Sequence, residues 1–281
     1  MLFSSTVLPL IKSRTLLWVA FYALLLSLYA LLPVWKEYSS YKEFGDLPSD
    51  IHAALTLVLG WLLVFRTNTA YARWWEARTL WGALVNTSRN IMVKVVSIPG
   101  ITEERAREFQ RDITAFPYSL RNHLRDDSAL NKLPGFTDTT EHPEHVPAYL
   151  SDLIQQRVWS LKVNQQIDGD DMRALDEQTS RLLDICGGCE RIRRTRIAKS
   201  YRVFARQCVF LFLATFPWAI VNGFGYWTIP ITGIIAYFMI GLETVAEHVE
   251  EPFGFDEDDL DLDGLCETIR QSVGEIAARG H

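Results

Sequence analysis

The chain has 281 residues, 48% of them hydrophobic and 12% aromatic, with a formal charge of -6. That length suits one or two domains, and the acidic balance supplies no electrostatic footprint for nucleic acid, so no nucleic-acid partner is expected. The mean hydropathy of +0.03 averages two unlike parts: apolar blocks toward both ends and a charged middle from Arg66 to Arg206.

The first element is an uninterrupted apolar run from Thr15 to Val34. As a helix it would be about 30 Å long, enough to cross a hydrocarbon core. No n-region, h-region and small-residue cleavage site assemble at this end, so the run reads as a retained anchor. The second apolar stretch, Ile51 to Phe65, is short, a length shared by buried soluble helices and sheltered membrane segments. It runs with no Gly/Pro break at the junction into a polar, arginine-bearing continuation, Thr67 to Ile98, which Pro99-Gly100 stops. Leu57, Trp61 and Phe65 recur every four residues on one face of this helix. A symmetric ring of such helices would present stacked apolar collars to a central axis, although such spacing is ordinarily core packing.

After Pro99-Gly100, Thr102 caps an acidic first turn, Glu103 and Glu104, of a helix predicted to reach about Arg125. Asp126 to Pro147, with Pro134 and Pro143 inside it, reads as loop. Helical patterns follow over Ala148 to Gln166 and Asp170 to about Arg194, joined by an Asp168-Gly169 turn. Strand alternation and internal repeats are both missing from the pattern. Gln207 to Leu242 carries no charged residue. With Asn222, Gly223 and Gly225 in its middle and Thr228 and Pro230 as a helix start, it reads as a helical hairpin, kinked at Pro217. Four membrane helices and a helical polar region make an all-α membrane protein.

Lys and Arg set the orientation. Lys12 and Arg14 precede the first span, while Arg66, Arg73, Arg78 and Arg202 to Arg206 flank the inner ends of the second and third. Lys36 and Lys42 are the basic residues between the first two spans, and the tip of the second hairpin has none. Both termini and the middle region are therefore expected in the cytoplasm of a multi-pass protein of the cell (inner) membrane. Cys186, Cys189, Cys208 and Cys266 then lie in the membrane or on the reducing side, so no disulfide framework is expected.

Motifs for catalysis are missing: there is no G-x-S-x-G, P-loop or dinucleotide fingerprint, and an enzyme is not expected. Cys186-Gly-Gly-Cys189 is a lone CxxC, and His142-Pro-Glu-His145 sits in a loop without a third ligand nearby, so neither supports zinc. Asp259, Asp261, Asp263 and Gly264 match the opening of an EF-hand loop. Its twelfth position is Arg270, where a bidentate Glu is required, so the run reads as a charge-capped helix start. Neither a metal nor a cofactor is expected. His52 and Glu243 on opposite membrane helices would suit a proton-coupled carrier, for which no paired broken helices or inverted repeat speak.

Four blocks carry a resemblance: FRTNTAYARWWEAR at Phe65 to Arg78, LWG at Leu80 to Gly82, ERIRRTRIAKSY at Glu190 to Tyr201, and GLETVAEHVEEPFGFDEDDLDLD at Gly241 to Asp263. Together they resemble the bestrophin family, in its bacterial branch, over most of the chain. The resemblance implies a homopentameric ion channel, with four membrane helices per subunit, the second lining a central pore above a cytoplasmic vestibule. Its partners would be further copies of itself, the lipid bilayer and permeant ions. It assigns residues 1–66 to the first helix pair with the pore neck, 67–203 to a helical cytoplasmic domain, 204–242 to the second hairpin and 243–281 to an acidic cytoplasmic segment. Carried over residue by residue, the hydrophobic neck matches Leu57, Trp61 and Phe65, its register fixed by Phe65-Arg66. Trp61 departs from the smaller aliphatic or phenylalanine residues usual in the neck. The narrow cytoplasmic aperture matches Ile197, where the family's flanking prolines are replaced by Thr195-Arg196 and Ala198. Trp74 and Trp75 read as packing and interface anchors.

Ion choice stays open between two charge readings. Seven basic residues lie between Glu190 and Arg206, and Arg194, Arg196 and Lys199 flank Ile197. Repeated by symmetry around an aperture, they would concentrate anions such as chloride. Alternatively they pair with the acids of Glu243 to Asp263 or mark the membrane boundary. Bestrophins include anion and cation conductors, so chloride-like anions are favoured over sodium-like cations on the basic cluster alone.

Overall fold

The computed structural model describes residues 13–42 and 47–279, and over them the regular structure is entirely helical. Lys12, one of the orienting charges, lies outside the described residues. Helix α1 (Arg14–Tyr29) starts where Ser13 Oγ accepts the Leu16 N–H at 3.4 Å, and after a turn at Ala30, α2 (Leu31–Glu37) completes a 24-residue apolar stretch. Helix α3 (Ser49–Val96) runs for 48 residues, about 72 Å at the standard rise. Nothing in its sequence breaks it until Pro99-Gly100, where Gly100 takes a φ of 77°. Helices α4 (Glu103–Leu124), α5 (Val146–Val163), α6 (Gly169–Arg194), α7 (Lys199–Phe224), α8 (Thr228–Glu250) and α9 (Leu262–Arg279) follow.

Both ends of α5 differ from the sequence reading, for capping reasons. Helix α5 begins at Val146 rather than Ala148 because His145 is its N-cap, with Nδ1 accepting the Ala148 N–H at 3.0 Å. Pro147 falls in the first turn, where its missing N–H leaves nothing unpaired. Helix α5 also stops at Val163, short of Gln166, as Gln165 turns to a φ of 60°. Asp168 then caps α6, accepting the Asp170 and Asp171 N–H groups at 2.8 Å.

The chain forms two compact units that divide within α3, after Arg73. The first comprises the residues up to Arg73, Arg196–Glu250 and Asp256–Asp258. It contains two of the three apolar stretches long enough to cross a membrane, Arg14–Glu37 and Lys199–Glu250, and the part of the third, α3, up to Arg73. The last is folded back on itself at a short 3-10 turn, Gly225–Trp227, into α7 and α8. Gly225 has a φ of 52°, and a side chain there would meet the Tyr38 hydroxyl. A second glycine, Gly233 of α8, lets α1 approach closely, since a Cβ there would collide with Ser27 Oγ. Small residues serve helix pairs this way where lipid removes the hydrophobic drive to associate. Polar side chains tie α1 and α3 to α7: Tyr29 donates to the Ala214 carbonyl at 2.9 Å and receives Trp218 Nε1 at 2.7 Å, and His52 Nε2 meets Thr215 Oγ1 at 2.9 Å.

The second unit, Trp74–Thr195 with 251–255 and 259–279, has a continuous core. Trp81, Leu84, Ile91 and Met92 of α3 are buried with Phe109, Ile113, Phe116 and Leu120 of α4, and Leu150, Ile154 and Val158 of α5 join them. Each such side chain contributes about 1.5–3 kcal/mol by leaving water. Cys186 and Cys189 of α6 are buried in this core as free thiols, and burial pushes the Cys186 thiol up to about 12. Leu262, Cys266, Ile269, Val273 and Ala277 of α9 recur at helical spacing and are buried on the same core. Its start is fastened electrostatically: Asp261 Oδ1 accepts the Gly264 N–H at 2.8 Å, and Asp263 pairs with Arg121 and, at 2.9 Å, with Arg125. The Arg125 hydrogen bond holds the Asp263 carboxyl below the usual carboxylate range.

Candidate functional site

Helix α3 shows two unlike faces in the first unit. Leu59 and Leu63, each 4% exposed, pack among Val209, Phe212 and Leu213 of α7 and Ala236 of α8. Leu57, Trp61 and Phe65 lie on the other face, 66%, 62% and 58% exposed in the single chain. The Trp61 and Phe65 rings stand 5.9 Å apart, tilted by 41°. Three large apolar groups one turn apart are too costly to leave in water, so this stripe requires lipid, another subunit or a dewetted pore axis.

The next residue fixes the rotation of the helix. Arg66 is fully buried, and its Nη1 lies 2.9 Å from Glu243 Oε1 on α8. The same oxygen accepts Arg206 Nε at 3.2 Å, while Arg206 also pairs with Glu247. Turning α3 about its axis would separate a buried ion pair, which costs about 3–5 kcal/mol. The exposed stripe is therefore held in register by its inward-facing neighbour.

Ile197 is half-buried in the short non-helical link between α6 and α7. Its backbone N–H donates to Glu250 Oε1 at 3.0 Å, and Glu250 itself is 1% exposed at the end of α8. The Glu250 carbonyl in turn accepts Arg73 Nε at 3.2 Å. Sequence reasoning singled out Ile197 but missed Glu250, whose place inside an acid-rich run gave no sign that it would be buried.

The basic cluster divides. Arg191 pairs with Glu76, and Arg193 pairs with Asp126 while donating to the His123 carbonyl at 2.9 Å. Arg206 pairs with Glu243 and Glu247, within the acidic stretch named as the alternative. Arg194, Arg196 and Lys199 are exposed, and among the described residues Arg194 and Lys199 form no ion pair. Of the two carrier candidates, His52 is bonded to Thr215 and Glu243 is held between two arginines.

The sequence reading placed no third ligand near the His142 and His145 pair; the second unit brings His123 of α4 and Glu190 of α6 to His145, in a grouping that does not include His142. His123 Nε2 and His145 Nε2 lie 2.6 Å and 2.9 Å from the same Glu190 oxygen. Burial pushes the Glu190 carboxyl up, but the hydrogen bonds from His145 and His123 outweigh it and hold the group below the usual range.

Comparison with known proteins places these features. The chain is 32% identical over 288 residues to the voltage-dependent anion channel-forming protein sll1024 of Synechocystis sp., covering 96% of this chain and 88% of that one. It is 30% identical over 236 residues to alr2987 of Nostoc sp., of the same descriptive name, with coverage of 79% and 76%. Among solved structures, one variant of a bacterial bestrophin homologue from Klebsiella pneumoniae superposes with a TM-score of 0.87 at 25% identity, over 95% of this chain and 99% of that one. Another variant of it gives 0.86 at 25% identity, over 92% and 98%. The family model described as Bacterial/Fungal Bestrophin protein matches residues 1–275, and with the three apolar stretches this chain is a membrane protein that belongs to the bestrophin family.

Proposed function

We propose that the protein is a homopentameric channel of the inner membrane that conducts small monovalent anions such as chloride, and that it is not an enzyme. Four helices per subunit, the first stretch, α3, α7 and α8, cross the bilayer, with both termini and residues 67–203 and 243–281 on the cytoplasmic side. Helix α3 lines the axis, Leu57, Trp61 and Phe65 form the neck, and Ile197 forms the cytoplasmic aperture, with Arg194, Arg196 and Lys199 supplying positive potential near it. The observation that carries this reading is the exposed stripe on α3, held in register by the buried Arg66–Glu243 pair. A helix facing only lipid has no need of one defined apolar face, since lipid accepts any. Relatives named for anion channel formation favour the anion assignment.

A specific observation favours cation conduction as the second reading. Arg191, Arg193 and Arg206 are neutralised by Glu76, Asp126, Glu243 and Glu247, which leaves a weaker positive field than the sequence count implies. Reversal potentials of the purified protein in bilayers under asymmetric salt decide between them. A chloride channel reverses toward the chloride equilibrium potential, a sodium channel toward that of sodium, and a carrier gives slow saturable flux without unitary steps.

A further inference from the structure

The His123–Glu190–His145 cluster has the composition of a transition-metal site, and the three groups come from separate parts of the second unit: α4, the N-cap of α5 and α6. Their ligand atoms all lie within 4.8 Å of one another, and the two imidazole rings are 4.6 Å apart. The side chains are 14%, 21% and 39% exposed for His123, Glu190 and His145, enough for an ion to enter and a water to complete its shell. We propose that this cluster binds a zinc-class divalent ion through His123 Nε2, His145 Nε2 and a Glu190 oxygen, with the fourth position left to water.

The donor chemistry supports the choice of ion. Two imidazoles and one carboxylate with an open position form a tetrahedral zinc set, with bonds of about 2.0–2.2 Å. Calcium and magnesium take oxygen shells and are poorly matched to two imidazoles. Each short nitrogen–oxygen contact here is bridged by a hydrogen, with both Nε2 atoms donating to one carboxylate oxygen. A divalent ion takes the Nε2 lone pairs in place of those hydrogens, each of which passes to the Nδ1 of its own ring, and the carboxylate then swings off the nitrogens to let the ion between them.

The second shell tells the two histidines apart. His123 Nδ1 faces Ser128 Oγ at 3.3 Å, an oxygen that accepts the Nδ1–H required once Nε2 holds the metal. His145 Nδ1 instead accepts the Ala148 N–H at 3.0 Å, so metallation at Nε2 moves its hydrogen to Nδ1 and gives up the α5 cap. Zinc occupancy is therefore coupled to the start of α5. Apo protein keeps the cap, and loaded protein keeps the metal.

The test uses the full-length chain in detergent, free of any histidine tag, stripped with a chelator and equilibrated with zinc chloride. About one zinc per chain is expected, with an X-ray absorption shell of two imidazole nitrogens and oxygen and no sulfur. His123→Asn and Glu190→Gln should each weaken retention by more than the ~10–100-fold that losing a second-shell partner costs. A sulfur-containing shell would assign the zinc to cysteines and overturn the proposal, as would wild-type retention by both variants, or no retention by wild type. The wild-type absorption spectrum decides even if a variant fails to fold.

Discussion

The buried carboxylate of Glu250 accepts the backbone N–H of Ile197 at 3.0 Å, joining the end of α8 to the link before α7. Ile197 lies outside any helix, and the carboxylate ties its N–H to the end of α8. A side chain from another element thereby sets the geometry of the candidate aperture, and replacing the family's flanking prolines need not leave it loose. Proline stiffens a chain by restricting φ; here an anchored N–H does the same work.

Truncating Glu250→Ala removes that anchor and leaves a donor unpaired. Stability should fall by about 1.5–3 kcal/mol, the range for a hydrogen bond to a charged group, while Glu250→Gln, which keeps an acceptor oxygen, should lose much less. Thermal melts of the purified protein measure this. If Ile197 limits conduction, Glu250→Ala also changes unitary conductance, and a destabilised variant with wild-type conductance would separate Ile197 from the ion path.

The neck should gate by losing water. Leu57, Trp61 and Phe65 offer no polar partner to an ion shedding its hydration shell, so a closed ring of them is a barrier without being a plug. Replacing all three by Ala should raise open probability in planar bilayers and leave ion preference nearly unaltered. Wild-type gating in the triple variant would remove the stripe from the gate.

Assembly follows from the same exposed face. The stripe, with Val58 and Val64 also exposed beside it, calls for neighbours around an axis, and symmetry closes such a contact into a ring. Mass measurement in detergent should give five copies. A stable monomer or dimer that still carries current would sink the pore reading.

In the second unit, Asp112 is fully buried and takes Arg157 Nε and, at 2.9 Å, Arg111 Nε. Asp112→Ala removes the carboxylate the two arginines share, but Arg157 keeps Glu108 and Arg111 is 40% exposed, so the loss should be about 1.5–3 kcal/mol, the range for hydrogen bonds to a charged group. Chemical denaturation followed by circular dichroism checks it. A loss below about 1 kcal/mol would mean that water reaches these arginines readily.

Much of this architecture was legible because it is local. Helix α3 could be followed from Ile51 to Pro99 since no residue in it stops a helix, and Asn222 to Gly225 marked the hairpin tip by their turn chemistry. The start of α5 was misread because Pro147 looks like a loop residue, although the first helical turn tolerates it. The His123–His145–Glu190 cluster was invisible for a different reason. Glu190 lies 67 and 45 residues from its partners, and no spacing rule reaches across three helices. The fate of the basic cluster was hidden likewise: Arg191 finds Glu76 at a separation of 115 residues, where the sequence pointed only to the acids downstream.

Selectivity separates the two charge readings for Arg194, Arg196 and Lys199, a ring facing the ion path or charges paired with acids or spread on the surface away from it. If they face the ion path, Arg194→Glu with Arg196→Glu reverses the sign of a ring of charges, and the reversal potential should move toward cations. The shift should shrink between 0.1 M and 1 M salt, as the screening length falls from about 10 Å to about 3 Å. If these residues act as surface charges away from the path, the double variant should leave the permeability ratio alone at every salt concentration. Arg191→Glu is the control, because its partner Glu76 already cancels its field: it should disturb stability through a lost pair and barely touch selectivity. A wild-type channel preferring sodium to chloride would refute the anion assignment while leaving the bestrophin fold and the neck reading intact.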